Sequence, residues 1–334
     1  MTESPLRWGV LGTGWIAQRF AEDVLLLPGH TVSAVGSRVR HTAETFARQH
    51  GIERAWDSYE QLVADDEVDV VYVATPHTFH LAHATLGLEA GRPVLVEKPF
   101  TTNAADARRL IALARDRGLF AMEAMWTRFN PLIGRLRALV ADGAIGDVTA
   151  VYADFGFISP YDPAHRHWSP ELGGGALLDL GVYPLYFTWM LLGAPESIQA
   201  TAATAPTGVD ANTGVLLGYA CGAVALLHCN LTSDSPWTAV VTGTEGRIEV
   251  PSPFFSPHTL VLHRKGAEPE TFRTDVLGNG YAYQAQEVAR CLKAGELESP
   301  VMPLDETLAI HGNLDTILAQ LKRQAVTPSP IPLE

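Results

Sequence analysis

Cysteine is scarce: 334 residues carry three, Cys221, Cys229 and Cys291. None forms a close pair or a Cys/His zinc spacing. That excludes a disulfide framework and points to a reducing compartment, with the thiols expected as bland buried residues. Basic residues are also in deficit. Lys and Arg number 24 against 37 Asp and Glu, a formal net charge of −13. Nothing here cancels phosphate charge in bulk, which argues against nucleic acid or an anionic membrane as the main partner. No apolar stretch approaches the roughly 20 residues of a membrane span. The start, MTESPLRWGV, lacks a basic region followed by a long apolar core, so no signal peptide is expected. A cytoplasmic location is the corresponding expectation. Repeats and low-complexity segments are missing too, apart from the Pro-rich tail PSPIPLE, expected to be extended.

What the chain does have is a turn. The apolar run Trp8–Leu11 ends in Gly12-Thr13-Gly14, followed by Trp15-Ile16-Ala17 and a helical pattern. This is a G-x-G-x-x-A fingerprint between a strand and a helix. Gly12 permits the tight turn, Gly14 lets a pyrophosphate approach the backbone, and Ala17 lets the helix lie close on the strand. The helix N-terminus offers N–H groups and partial positive charge to the phosphates.

Strands and helices alternate through about residue 125, with Gly51, Gly91 and Gly118 marking helix ends. Val68–Ala74 and Pro93–Val96 read as continuously apolar strands covered on both faces. Helices are expected over Trp15–Leu27, Ala104–Arg117 and Pro131–Ala141, and a strand over Leu119–Met122. From Ser197 to about Thr274 several strands follow one another without helices, which predicts an antiparallel or mixed sheet. Before them lie a long strand, Val148–Ile158, and a Gly-opened helix, Ala176–Leu192. Two helices close the chain. The expected fold is therefore an α/β dinucleotide-binding domain of Rossmann type over 1–125, a doubly wound parallel sheet. An α+β substrate and oligomerisation domain over 126–334 follows, with a mostly antiparallel open sheet and helices on one face.

Ligands bind outside the carboxyl ends of strands in such sheets. Strand two ends at Ser37-Arg38 without the acidic residue that usually accepts from the adenosine ribose. Ser37 can donate to a phosphate, and Arg38 offers a charged fork and a stacking plane, with Arg40 as a second candidate. This favours NADP(H) over NAD(H), leaving dual use open. Thr75-Pro76-His77 ends the next strand, and His77 or His80 can reach a ligand or simply cap the following helix. Glu97-Lys98-Pro99 ends another, and proline stops the strand there, leaving Lys98 toward the crevice. In the second half, Asp179 and Tyr183 are four residues apart and share a helix face. A tyrosine beside an ammonium is an acid with a stabilised phenolate, suited to passing a proton as hydride moves.

Together, GTGWIA at 12–17, ATPHTFH at 74–80, EKP at 97–99 and GGGALLDLGVYPL at 173–185 resemble the glucose-fructose oxidoreductase, inositol dehydrogenase and rhizopine-catabolism (Gfo/Idh/MocA) family. Tyr183, where many members carry histidine, and the MWTRFNP run at 125–131 are similar to its dihydrodiol and NADP-dependent sugar dehydrogenase branch. The resemblance implies that Lys98 and Tyr183 flank the reacting carbon with Asp179 close by. It also implies Gly12, Thr13, Gly14, Trp15, Ile16, Ser37, Arg38, Thr75, Pro76, His80, Glu97 and Lys98 around the cofactor. A homodimer through the open sheet is implied as well. Trp126, Arg128 and Phe129, with Phe157, His165, Trp168 and Asp179, are the expected substrate contacts. The His165-Arg166-His167-Trp168 run can be read as a metal site, but its histidines are two apart, no carboxylate is placed beside them, and hydride chemistry needs no metal. We read it as a lid over a sugar-like ring. The implied activity is oxidation or reduction of a CH–OH group in a sugar, polyol or cyclic trans-diol. A cofactor-binding sensor of the same fold, or glycosidase-type chemistry through transient oxidation, is the alternative. A sensor has no reason to keep both Lys98 and Tyr183.

Overall fold

The computed structural model describes Pro5–Gln324; the expected extended tail lies outside the described residues, as do residues 1–4. The chain forms two compact units, residues 1–129 with 276–308, and 130–275 with 309–334.

In the first unit, β1 (Leu6–Leu11), α1 (Trp15–Val24), β2 (His30–Gly36), α2 (Arg40–His50), β3 (Arg54–Trp56), α3 (Tyr59–Val63), β4 (Val70–Val73), α4 (His80–Glu89), β5 (Val94–Glu97), α5 (Ala104–Arg117) and β6 (Ala121–Ala124) follow in order. The six strands form one sheet in the order β3-β2-β1-β4-β5-β6. Every neighbouring pair is parallel. Val70–Val73 are fully buried, as a central strand covered on both faces requires. The short strand β3 escapes a reading by pattern because its three residues are all half-buried. β6 begins two residues later than expected. Gly118 closes α5 in the left-handed conformation, and the Leu119 amide is spent on the Ala114 carbonyl. Helix α1 stops at Val24, and the next amides make tighter bonds, Leu26 to Asp23 and Leu27 to Val24.

The second unit opens with α6 (Pro131–Ala141). Pro131 stands in its first turn, and the Asn130 side chain accepts from the Leu132 amide at 2.9 Å. There follow β7 (Val148–Gly156), a π-helical turn Leu177–Gly181, α7 (Val182–Leu192), β8 (Ser197–Thr204), β9 (Asp210–Gly218), β10 (Val224–Asn230), β11 (Ala239–Gly243), β12 (Gly246–Val250), β13 (Thr259–Arg264) and β14 (Glu270–Arg273). The sheet order is β14-β13-β12-β11-β7-β10-β9-β8. Strands β7 and β10 run parallel, and the other neighbours run antiparallel. Helix α7 packs on β7 and β10. The opposite face leaves Tyr152, Leu216 and Leu226 exposed in one cross-strand row, Tyr152 opposite Leu226 and Leu226 opposite Leu216. One correction concerns apolar length. Residues 170–192 are long and apolar enough to cross a membrane by length and composition, but 78% of the window is buried as core.

The chain then returns to the first unit from Val276, where α8 (Ala282–Ala294) packs on α1 and on the turn Trp126–Phe129. Asp23, fully buried on α1, anchors the return. Its carboxylate accepts from the amides of Asn279 at 2.8 Å, Tyr281 at 2.7 Å and Ala282 at 3.1 Å, and so caps α8. Helix α9 (Leu304–Gln324) begins in the first unit and ends in the second. A division at 125/126 leaves this return of the chain out. Cys229 and Cys291 are buried and unpaired as expected, but Cys221 is exposed in the turn after β9.

Candidate functional site

In the first unit the turn after β1 fits a dinucleotide. Gly12 has φ 110°, and a Cβ there would stand 2.7 Å from the Ala74 carbonyl oxygen, so only glycine is accommodated. Gly14 is extended at the N-cap of α1 and makes no side-chain cap bond, and a Cβ there would meet nothing within 4 Å. The first turn of α1 holds no acidic residue to compete for an anion. Ala17 is fully buried, while Thr13 and Ile16 are half-buried and Trp15 is exposed.

At the end of β2 the division of labour differs from expectation. The Thr42 hydroxyl donates to the Val39 carbonyl at 2.7 Å, so the Ser37 hydroxyl donates to Thr42 Oγ1 at 2.6 Å and accepts from the Val39 amide at 3.3 Å. Ser37 is buried and its proton is used inside the protein, which takes it off the phosphate. Arg38 is exposed, its guanidinium 5.6 Å over the Phe79 ring. Arg40 is tied to Glu44 at 2.8 Å and lies 3.6 Å from Asp57.

At the ends of β4 and β5, His80 corrects the reading of ATPHTFH. It is fully buried, with Nε2 2.7 Å from the Thr75 carbonyl and Nδ1 2.8 Å from that of Pro99. The ring clamps two loops and is not presented to a ligand. Burial pushes its pKa down to about 4, and the two carbonyls pull it back only in part. Thr75 is buried beside His83, and Pro76 and His77 are half-buried. Glu97 is likewise inside, accepting from the Tyr72 hydroxyl. Lys98 is half-buried beside it.

The turn after β6 also departs from expectation. Trp126 is buried against Tyr281, ring centroids 4.4 Å apart. Arg128, 4% exposed, is held in an ion pair with Glu306 in the first turn of α9. Both terminal guanidinium nitrogens face the half-buried Glu306 carboxylate, while Nε makes no hydrogen bond within the protein. Phe129 is half-buried.

In the second unit the glycine run opens the turn that carries Asp179. The Asp210 carboxylate accepts from the Leu177 amide at 2.8 Å and starts it. Asp179 is 3% exposed, with Oδ1 3.1 Å from Arg166 Nη1 and Oδ2 3.2 Å from His167 Nε2. The second contact is electrostatic rather than an aligned hydrogen bond. Ser159 Oγ meets His167 Nδ1 at 2.7 Å. A carboxylate facing Nε2 favours a proton there, so Ser159 donates into Nδ1. This corrects the expectation that no carboxylate adjoins the His165–Trp168 run. Ser159, Arg166 and His167 are functional candidates that spacing alone could not rank. His165 is exposed, whereas Trp168 is fully buried, donating to the Pro160 carbonyl at 2.9 Å, and is structural.

Tyr183 is the second residue of α7, one turn past Asp179. Phe155 and Phe255 each lie 5.4 Å from its ring, and Trp237 lies 5.4 Å from Phe155. Phe157 is half-buried, 5.5 Å from His167. No apolar pattern predicts Phe155 and Phe255 against Tyr183, or Trp237 against those two rings, because they come from separate strands and loops.

A Rossmann unit with an open phosphate cradle, joined to a mixed-sheet unit carrying an acid and a tyrosine one turn apart, defines a nicotinamide-dependent dehydrogenase or reductase. Residues 6–125 match the oxidoreductase family with NAD-binding Rossmann fold, and residues 133–249 match the GFO/IDH/MocA C-terminal domain. The chain belongs to the Gfo/Idh/MocA oxidoreductase family. It is 41% identical over 323 residues to the trans-1,2-dihydrobenzene-1,2-diol dehydrogenase of Sus scrofa, covering 93% of this chain and 96% of that one. The enzyme of the same name from Mus musculus is 40% identical, with coverage of 90% and 92%. Among solved structures, a 3-ketoreductase from Actinomadura kijaniata in complex with NADP and TDP-benzene superposes with a TM-score of 0.84 at 28% identity, over 95% of this chain and 98% of that one.

Proposed function

We propose that this chain is an NADP(H)-dependent oxidoreductase acting on a CH–OH group of a cyclic trans-diol, sugar or polyol. The observation that carries the reading is Tyr183, set among aromatic rings one turn beyond an Asp179 already paired with Arg166. Relatives named dihydrodiol dehydrogenases along nearly their whole length, and a ketoreductase solved with NADP, support it.

When bound, nicotinamide supplies the acceptor or donor of hydride. In oxidation Tyr183 takes the substrate hydroxyl proton, and in reduction it returns one to the carbonyl oxygen. Lys98, at the end of β5, is the cation this reading assigns to the acid–base chemistry, and Asp179 accepts from a second substrate hydroxyl. The backbone around Gly12 and Gly14 holds the pyrophosphate, and Arg38 pairs with the 2′-phosphate that distinguishes NADP(H). NAD(H) serves less well in this reading. Two copies associate through the sheet face bearing Tyr152, Leu216 and Leu226, and the unpaired thiols suit a reducing cytoplasm.

The test is nicotinamide reduction with NADP and NAD, each offered trans-1,2-dihydrobenzene-1,2-diol, D-xylose and acyclic polyols. Turnover of the ring substrates with NADP, at least about tenfold faster than with NAD at low cofactor, is the expected result. No turnover of any member with either cofactor would remove the proposal and favour a cofactor-binding sensor.

A further inference from the structure

Trp237 has φ 57°, the one positive φ outside glycine among the described residues. The left-handed region crowds Cβ against the backbone, and a bulky aromatic residue rarely adopts it. Asparagine or glycine would make the same turn at less cost. The chain instead holds a tryptophan there by force of several bonds. Asp154, on β7, accepts from the Trp237 amide at 2.9 Å and from the Thr238 amide at 3.2 Å. The indole N–H donates to the Gly156 carbonyl. Backbone and ring are therefore both fixed.

The fixed ring has a defined place. It stands edge-on to Phe155 at 5.4 Å and lies 5.9 Å from Phe255, the two rings that flank Tyr183. Trp237 and Phe255 are each half-buried, so aromatic surface remains open to solvent next to the proposed acid–base residue. That surface presents no indole donor, because the N–H is already committed to Gly156. A ring whose hydroxyls occupy one edge loses nothing against such a wall. A ring with hydroxyls on every carbon leaves some of them without partners.

We infer that Trp237 is a specificity-determining residue: it forms the outer wall of a ring subsite beside Tyr183 and selects diols with an apolar ring over fully hydroxylated sugars. The inference rests on the proposed activity and names its substrate preference.

The experiment compares the full-length enzyme with Trp237→Asn, Trp237→Gly and Trp237→Phe, using NADP with trans-1,2-dihydrobenzene-1,2-diol and with D-xylose, and measures Tm for each. The wild type prefers the diol. Asn and Gly, which tolerate this backbone, leave Tm equal or higher. They lower kcat/KM for the diol about tenfold or more, mainly through KM, and change the value for xylose by less than about threefold. Phe retains most of the preference. An unchanged diol-to-xylose ratio in the Asn and Gly variants overturns the inference. So does a fall in Tm with equal loss on both substrates, since that is a structural role, and so does a wild type that prefers xylose. A wild type inactive on both substrates overturns the proposed activity itself.

Discussion

Burial pushes the Glu97 carboxyl up to about 7, while the Tyr72 hydroxyl and the nearby Lys98 ammonium pull it back. The folded state thus binds this proton more tightly than the unfolded chain, whose value is near 4.5. Its contribution to stability is fully present below 4.5 and is lost as pH rises through about 7. Glu97→Gln keeps the shape without the titration. The Tm of Glu97→Gln relative to wild type should therefore climb between those two values and level off above them, measured by thermal melts across pH. A constant offset would contradict the account. Arg38 makes a second prediction at this scale. At the end of β2, which carries no acid, we assign the 2′-phosphate to Arg38, exposed with its guanidinium over Phe79. Arg38→Ala should weaken NADPH binding about tenfold or more and NADH binding only a few-fold, by titration of tryptophan fluorescence. Equal losses would mean that Arg38 serves the adenine alone.

Among the elements, the glycine-opened turn repays a test. A Cβ on Gly174 would stand 2.7 Å from the His167 carbonyl oxygen and 2.9 Å from that of Arg166, both backbone atoms that cannot swing away. Gly174→Ala should displace the loop that brings Arg166 and His167 to Asp179. Expected are a fall in Tm of a few degrees, turnover down about tenfold or more, and unchanged NADPH affinity. Wild-type kinetics in this variant would sever the loop from the chemistry. The elements also show what a sequence can carry. Helices α5 and α6 are read to the residue, because Asn103 and Asn130 cap them and Gly118 stops the first. The fingerprint is as legible, since Gly12 and Ala17 answer to local backbone and packing needs. The π-helical turn Leu177–Gly181 is not, because LLDLG repeats apolar residues without fixing 3.6 or a wider period. Nor are the pairings that decide the site. The Arg128–Glu306 pair joins residues remote in sequence, and the contact of His167 with Asp179 is made across a glycine-containing loop, so no helical or strand period encodes either.

For the whole molecule, the first unit owes part of its fold to a late segment. The sequence marks a helix near the end of the chain but not which unit it joins; buried Asp23, which caps α8, decides that. The exposed apolar row on the second unit bears on assembly. Tyr152, Leu226 and Leu216 sit side by side on β7, β10 and β9, which a solitary monomer would seldom leave bare. Leu226→Glu should convert a dimer to a folded monomer of 36.1 kDa, as read by light scattering after size exclusion. A wild type already monomeric would remove the dimer from the account.

The measurement that bears most directly on the central claim is single-turnover oxidation of trans-1,2-dihydrobenzene-1,2-diol by Tyr183→Phe loaded with NADP, beside a titration of its NADP affinity. Loss of the acid–base hydroxyl predicts a rate at least about 100-fold below wild type with affinity unchanged. A rate near that of wild type would contradict the assignment of Tyr183 as the acid–base residue.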